Sequence, residues 1–471
     1  MIGDNTYRRV GYVMTAGLIM LLCFFSYRAF CDSYLWMDEA GQFFMSKGLH
    51  HHSEKFASVG ALKVLFENNS LHNLDPGGFT LILRLWSYIS NHFIWLRLLP
   101  LIMYIGCLIV TFKLGWRLMD DKFLAVILVS ILLLHPAYSI NSCELRAYSM
   151  EMLGVALTLL IISKSSMEWN NKRLILLGFI LSVFMTSRYS FVVFAFATIL
   201  FVCYEMICQN RLQLFFSHAV ILGILPLITI VGIYILSLHT QMGVGEVDYV
   251  ASQYIGSSSK ALLSPSCLRG YLIAGIVIVG IKSKRKINPM IMLAFFVSIV
   301  FFIVSLLNLF PIDERRALSL SLAQCLALTV WLLDIVNKVS FRTAIEGIVV
   351  LSSVGVVLLW PKLTRNRERA IAEYKNFKDV VQTMKPDEKL VVCSYYDASV
   401  RYAIEYGDLK GKVNKGFYLN NILLGGTIKN DNKALNNITT INYYYRLKDV
   451  PQLKKRSPVE EKCKGIYVTK H

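Results

Sequence analysis

Several common catalytic signatures are absent from this chain of 471 residues. It has no Walker phosphate loop, no GxGxxG segment that opens a helix, no HExxH pair and no GxSxG segment. Its ten cysteines are scattered without a CxxC pair or Cys/His metal-ligand spacing. The sequence therefore shows no sign of nucleotide hydrolysis, NAD chemistry or structural zinc, and no residue is assigned as a metal ligand.

Charge is also scarce, because only 17% of the residues are charged whereas 55% are hydrophobic. The apolar residues form runs that are too long and too numerous for ordinary core helices. We predict an α-helical polytopic membrane protein with about 11 transmembrane helices, amphipathic helices in its external loops and a small C-terminal α/β domain. The predicted spans are 12–30, 98–116, 123–140, 147–163, 174–187, 191–208, 215–238, 268–281, 289–309, 318–336 and 344–360.

Acidic residues are the scarcer charged class, with 31 Asp and Glu against 49 Lys and Arg. The basic clusters fall in alternate loops, which are cytoplasmic by the positive-inside rule. We therefore predict an uncleaved membrane protein with a cytoplasmic N terminus. We expect the membrane to be the bacterial inner (plasma) membrane. The basic clusters are Arg8-Arg9, Lys164 with Lys172-Arg173, Arg211, the run 282–286, and Lys338 with Arg342.

The same topology makes the first loop and the C-terminal region extracytoplasmic. We predict a transmembrane catalytic domain over 1–361, with interfacial helices in loop 31–97, and a basic α/β domain over 362–471. From residue 361 onward there are 22 Lys and Arg against 12 Asp and Glu. This surface suits membrane lipids or polyanionic glycolipids, or is simply solvated, and no nucleic-acid module is present. Strands at 389–394 and 465–469 and a helix at 398–406 are predicted there.

An acidic pair, Asp38-Glu39, follows the first span. One carboxylate suits removal of a proton from an acceptor, while the other orients it or binds a cation. The structural alternative is an N-terminal cap on the first loop helix.

A second external segment runs from His72 through Asp75-Pro76-Gly77-Gly78. It is either a loop that contacts substrate or a plain turn before an amphipathic helix. A third segment, Glu144-Leu145-Arg146-Ala147-Tyr148, opens a span, and an arginine there suits an anion such as phosphate. Its structural alternative is snorkelling to the membrane interface.

Further arginines lie on the same predicted face. Arg188 stands between two apolar stretches, and Arg315 and Arg316 follow Pro311. Two or three such guanidinium groups could bind a phosphate or diphosphate through paired hydrogen bonds. Taken singly, each also suits an internal salt bridge or a contact with lipid headgroups.

The order of these motifs resembles the membrane glycosyltransferases of the GT-C class, in the protein-mannosyltransferase and aminoarabinose-transferase superfamily. That superfamily has an Asp-Glu pair after the first span, a His-Pro-Pro-Leu-type turn before a helix ending in Leu-Trp, an Arg-Leu-Pro opening the next span and a later Glu-x-Arg-x-Tyr-type segment. The corresponding segments here are Asp38-Glu39, Asp75-Pro76-Gly77 with Leu85-Trp86, Arg97-Leu98-Leu99-Pro100 and Glu144-Leu145-Arg146-Ala147-Tyr148. Residues 10–210 carry the resemblance, and the turn departs from it at Asp75 and Gly77.

The resemblance implies inverting transfer of a sugar from a polyprenyl-phosphate donor to a lipid, glycan or protein acceptor on the outer face. It implies Asp38 as general base, Glu39 as its neighbour or as a cation ligand, and Arg146 as a contact to the donor phosphate. We assign Arg188, Arg315, Arg316 and Tyr148 to the same phosphate site, and His72, Asp75 and Glu144 to the substrate loop. A divalent metal is left open. The competing functions are a glycolipid flippase or transporter and a noncatalytic envelope scaffold.

Overall fold

The protein is represented by a computed structural model. It describes residues 4–31, 35–49, 65–66, 75–163, 169–209, 212–239, 264–284, 287–307, 317–336, 374–375, 378–379, 389–393, 397–411, 418–421, 423–424, 427–428, 442–445, 459–463 and 466–469.

Within these ranges the chain is mostly helical. The helices are α1 Asp4–Cys31, α2 Met37–Ser46, α3 Gly78–Trp86, α4 Phe93–Met119, α5 Lys122–Leu134, α6 Pro136–Ser139, α7 Tyr148–Ile162, α8 Asn171–Met185, α9 Tyr189–Cys208, α10 Leu212–Ile233, α11 Pro265–Lys282, α12 Pro289–Leu306, α13 Leu318–Val336 and α14 Asp397–Glu405. A 3-10 turn, Ile140–Ser142, follows α6, and a π-helical turn, Tyr234–Leu238, extends α10. The strands are β1 Lys389–Cys393, β2 Tyr418–Asn421, β3 Leu423–Leu424, β4 Thr427–Ile428, β5 Asn442–Tyr445, β6 Val459–Cys463 and β7 Ile466–Thr469.

Five helices in the described ranges are long and apolar enough to cross a membrane, or six if one bent pair forms a single span. This is consistent with a helical membrane protein. A helix of the structure coincides with each predicted span except 344–360, which lies outside the described residues. The total of about eleven spans therefore stays a prediction.

The bent pair lies where the sequence predicts one straight span over 123–140. Lys122–Leu134 and Pro136–Ser142 meet at an angle of 72°. Pro136 has no backbone N–H, so it cannot continue the hydrogen-bond ladder of α5 and instead opens the next helix. The bend directs the chain into the turn that carries Glu144 and Arg146.

The chain divides into two compact units. Unit 1 comprises Met1–Tyr27, Asn69–Phe79 and Leu98–Leu359, and unit 2 comprises Arg28–Asn68, Thr80–Arg97 and Trp360–His471. In unit 1, helix α8 packs on α7 and α10, and α12 packs on α9, α11 and α13. The core of unit 1 consists of apolar side chains such as Leu159, Phe194 and Leu326, which are fully buried.

Unit 2 contains a mixed five-stranded sheet with the strand order β2-β1-β5-β7-β6. β1 pairs in parallel with β2 and with β5, whereas β7 is antiparallel to β5 and β6. β3 and β4 form a separate antiparallel pair. The strands predicted at 389–394 and 465–469 appear as β1 and β7, and the helix predicted at 398–406 appears as α14. The division into domains 1–361 and 362–471 stays a prediction.

Candidate functional site

The acidic pair lies in the first turn of α2, in unit 2. Trp36 is the N-cap, and its backbone N–H donates to Glu39 Oε2 at 3.0 Å. An acidic side chain in the first turn also complements the positive end of the helix dipole. Glu39 therefore has the structural role expected of a residue that caps the N terminus of the helix.

Glu39 is further held by Arg97, which lies near the start of α4. Arg97 Nη2 lies 2.6 Å from Glu39 Oε2, and Arg97 Nε donates to Oε1 at 3.1 Å. Both side chains are 0% exposed. Such a pair is stable only because its geometry is good and its charges compensate each other. Asp38, in contrast, is partly exposed, so the two carboxylates have different surroundings.

In unit 1, Arg188 is the centre of a charged cluster. It is the N-cap residue of α9, with an extended backbone. Its Nη1 donates to Glu151 Oε2 at 3.0 Å, its Nε donates to Asp75 Oδ1 at 3.4 Å, and its guanidinium carbon lies 4.6 Å from the ring centroid of Tyr148. Burial lowers the pKa of Arg188, but the Glu151 and Asp75 carboxylates outweigh burial and raise it well above its usual value.

Arg146 approaches the same carboxylate from the turn before α7. Its Nη2 lies 3.8 Å from Asp75 Oδ2, and its side chain is 19% exposed. Its backbone N–H donates to the carbonyl of Glu144, which is itself partly buried. Asp75 thus lies between two guanidinium groups that come from separate segments.

Two glycines bring the Asp75 turn to the corner before α9. Gly77 has a φ of 97°, a conformation that side chains with a Cβ rarely adopt. Gly78 donates its backbone N–H to the carbonyl of Thr186 at 2.9 Å. A Cβ at position 78 would overlap the Thr186 side chain and lie 2.7 Å from its carbonyl oxygen. This close approach places Asp75 within reach of Arg188, and the Ser237 hydroxyl also donates to the Pro76 carbonyl at 3.1 Å.

Glu151, which the sequence analysis did not select, holds the cluster together. It is fully buried in α7 and accepts from the Ser190 hydroxyl at 2.5 Å and from the Ser319 backbone N–H at 2.9 Å. The Ser319 hydroxyl in turn donates to the Ser190 carbonyl at 3.0 Å. Glu151 therefore connects α7 with the first turns of α9 and α13. An acidic residue inside an apolar run was a signal that could have identified it.

Arg269, in the first turns of α11, is a second polar residue that was not selected from the sequence. Its Nη2 donates to the hydroxyls of Ser266 and Ser321, at 3.1 and 3.0 Å, and its Nε donates to Gln324 Oε1 at 3.3 Å. The Ser321 hydroxyl also bonds Tyr138 at 2.8 Å. The predicted span 268–281 already contained this arginine, and its charge in an apolar segment was the available signal.

Three predicted site residues, His72, Arg315 and Arg316, lie outside the described residues. The structure brings Asp75, Arg146, Tyr148 and Arg188 together in unit 1, and it places Asp38 and Glu39 in unit 2. Over the described ranges, no three His, Cys, Asp or Glu side chains are grouped so that they could hold a metal ion. Metal dependence stays open.

Comparison with known proteins found similarity only to solved structures. No protein-family model matches the chain. No curated protein sequence matches it either. Seven chains of solved structures match. One is the crystal structure of the Archaeoglobus fulgidus oligosaccharyltransferase in complex with Zn and sulfate, at 11% identity and a TM-score of 0.44, covering 92% of this chain and 68% of that one. The function is therefore argued from this chain's own residues.

Proposed function

We propose that this protein is a membrane glycosyltransferase of the GT-C class. It moves a sugar from a polyprenyl-phosphate-linked donor to a lipid, glycan or protein acceptor on the extracytoplasmic face. The observation that carries the proposal is the convergence of Arg146 and Arg188 on Asp75. Three segments that are distant in sequence meet where apolar helices begin, and guanidinium groups at such a place suit the phosphate of a lipid-linked donor.

The contacts of the two arginines suggest different roles for them. Arg188 is held by Glu151 and Asp75 and stacks on Tyr148, so we assign it to fixing the shape of the site. Arg146 is more exposed and farther from Asp75, so we assign it to the donor phosphate. Asp75 then acts as a resident counter-ion, whose place beside Arg146 the phosphate takes when the donor binds. Arg315 and Arg316 remain proposed phosphate contacts, and His72 and Glu144 remain in the proposed substrate loop.

The proposed reaction is a single displacement. Asp38 accepts the proton of the acceptor, whose oxygen or nitrogen forms a bond to the anomeric carbon. The bond between that carbon and the phosphate oxygen breaks, and the polyprenyl phosphate leaves with the electron pair. Arg146 stabilises the charge on the departing phosphate. Attack from the opposite face inverts the anomeric carbon, while Glu39, paired to Arg97, holds the helix that carries Asp38.

The proposed architecture comprises about eleven spans, a cytoplasmic N terminus and an extracytoplasmic C-terminal region, in a bacterial inner membrane. The basic excess of that region, +10 of the net +18, is suited to anionic lipids or polyanionic acceptors.

The test is transfer by the purified protein in liposomes, with a panel of polyprenyl-phosphate sugars, together with mass spectrometry of envelope glycolipids and glycoproteins from cells with and without the gene. Asp38→Asn is expected to lower kcat about 100- to 10,000-fold and to leave donor binding intact. Asp120→Asn is the matched control, because Asp120 is exposed and has a φ of 49°, which asparagine also tolerates.

Other outcomes would contradict the proposal. Full transfer by Asp38→Asn removes Asp38 from the reaction. Movement of intact donor across the membrane without cleavage indicates a flippase or transporter. Loss of function on removal of residues after 360, with Asp38→Asn unaffected, indicates a scaffold.

A further inference from the structure

Helix α14, in the C-terminal part of unit 2, is buried along almost its whole length. Each residue from Ala398 to Glu405 is at most 7% exposed. The helix nevertheless carries charge, because Arg401 Nε donates to Glu405 Oε1 at 3.0 Å one turn away. The charge of this helix is therefore enclosed, and one charged partner lies on the helix itself.

The element on which α14 packs is α2, the helix that carries the acidic pair. The Phe43 ring meets Tyr402 edge to face, with centroids 5.3 Å apart and planes at 84°, and meets Tyr406 at 5.1 Å and 77°. The Arg401 guanidinium lies 4.7 Å from the centre of the Phe44 ring. Such aromatic contacts add to the stabilisation from area burial alone.

Tyr402 also reaches the segment before α4. Its hydroxyl donates to the carbonyl of Asn91 at 2.7 Å. Burial raises the pKa of Tyr402 above its usual value, with the Arg97 charge working against this and the Glu39 charge adding to it. The hydroxyl is therefore protonated at neutral pH and can donate.

One side chain thus links the helix that carries Glu39 with the segment that leads into the helix of Arg97. The ring of Tyr402 packs on α2, and its hydroxyl bonds the backbone just ahead of α4. We propose that Tyr402 is a positioning residue for glycosyl transfer, which holds α2 in the orientation that presents Asp38 to the acceptor. The C-terminal region then takes part in the reaction through α14. This inference rests on the proposed function.

The test compares two tyrosine-to-phenylalanine variants of the full-length protein. Tyr402→Phe keeps the ring and removes only the bond to Asn91. Tyr374→Phe is the matched control, because Tyr374 lies in the same unit and is also buried. Its hydroxyl donates to Asp408 Oδ1 at 2.6 Å. Both variants lose one hydroxyl bond, and the control loses a bond to a carboxylate, so Tyr374→Phe should lose at least as much stability as Tyr402→Phe.

The expected result is a loss of kcat of about two- to tenfold in Tyr402→Phe, with unchanged KM for the donor and unchanged affinity for polyprenyl phosphate. Tyr402→Leu, which also removes the ring contacts, should lose about another tenfold and should increase amide hydrogen exchange in residues 37–46. Tyr374→Phe should keep the wild-type kcat.

Each alternative outcome overturns the inference. Equal losses of kcat in Tyr402→Phe and Tyr374→Phe would show a general effect on stability. A raised donor KM with unchanged kcat would place Tyr402 in donor binding. If the wild type transfers sugar and Asp38→Asn does not, while both Tyr402 variants match the wild type, only this inference fails. If the wild type transfers no sugar from any donor, the proposed function fails, and this inference fails with it.

Discussion

Neutralising Glu39 should unfold unit 2 at a lower temperature, whereas neutralising its neighbour Asp38 should not. Glu39→Gln keeps the size of the side chain and an oxygen that can accept from the Trp36 backbone N–H. It removes the charge opposite Arg97, which is 0% exposed and donates to Glu39 at 2.6 and 3.1 Å. Leaving one buried charge uncompensated costs about 3–5 kcal/mol. For a unit of about 150–250 residues this corresponds to a fall in Tm of about 6–20 °C.

Two tryptophans close to Arg97 provide the assay. The rings of Trp86 and Trp95 are stacked, with centroids 4.4 Å apart and planes at 6°. Each indole N–H also donates to the other residue's carbonyl, at 2.7 and 2.9 Å. A stacked indole pair produces an exciton couplet at the long-wavelength edge of the far-UV circular dichroism spectrum, and this couplet disappears when the local structure melts. Its loss on heating therefore reports the unfolding of unit 2.

The control is Asp38→Asn, which removes one charge at the preceding, partly exposed position. It should melt within about 2 °C of the wild type while losing transfer, because substitutions away from buried pairs usually change stability by less than about 0.5 kcal/mol. A wild-type melting temperature in Glu39→Gln, or a large fall in Asp38→Asn, would refute the assignment of a structural role to Glu39 and a chemical role to Asp38.

Three further changes test the cluster of unit 1. Gly78→Ala should separate the turn from Thr186 and lower donor affinity and Tm together; unchanged values would show that this close approach is dispensable. Asp75→Asn should strengthen binding of polyprenyl phosphate roughly tenfold in an equilibrium binding assay, about 1.4 kcal/mol, because a competing carboxylate is lost; weaker binding would show that Asp75 instead organises the arginines. Glu151→Gln should lower Tm by several degrees and weaken phosphate binding, since Arg188 loses its charged contact at 3.0 Å; an unchanged Tm would contradict its bridging role.

Hydropathy was sufficient to predict most of the helices. Apolar runs such as that of α9 set their own conformation in a bilayer, because every backbone polar group must be satisfied within the segment. The break at Pro136 was the exception, although the proline was visible in the sequence. The length of an apolar run predicts the length of a membrane span. It does not predict the angle at which the two halves of a broken span meet.

The charged contacts were harder to predict. Asp75, Arg146 and Arg188 were selected because each is a polar residue beside an apolar run, but their meeting depends on Gly78, whose role appears only with Thr186 beside it. Glu39 and Arg97 are 58 residues apart. No local pattern identifies such a pair, since it arises from how the elements pack.

In the C-terminal region, the run Lys389–Cys393 was predicted as a strand from its Leu and Val residues. Tyr418–Asn421 and Val459–Cys463 were not, because their Asn, Glu and Lys residues favour strands only when a neighbouring strand supplies the pairing.

The buried Glu151 also has a consequence for synthesis of the protein. Its partners on α9 and α13 follow it in the chain, with Arg188 37 residues later and Ser319 168 residues later. At a synthesis rate of about 5–20 residues per second, Arg188 emerges about 2–7 s after Glu151 and Ser319 about 8–34 s after it. An acidic residue in an isolated membrane helix is costly. Glu151 is therefore made before Arg188 and Ser319, and it completes its bonds to them only after the first turn of α13 has been synthesised.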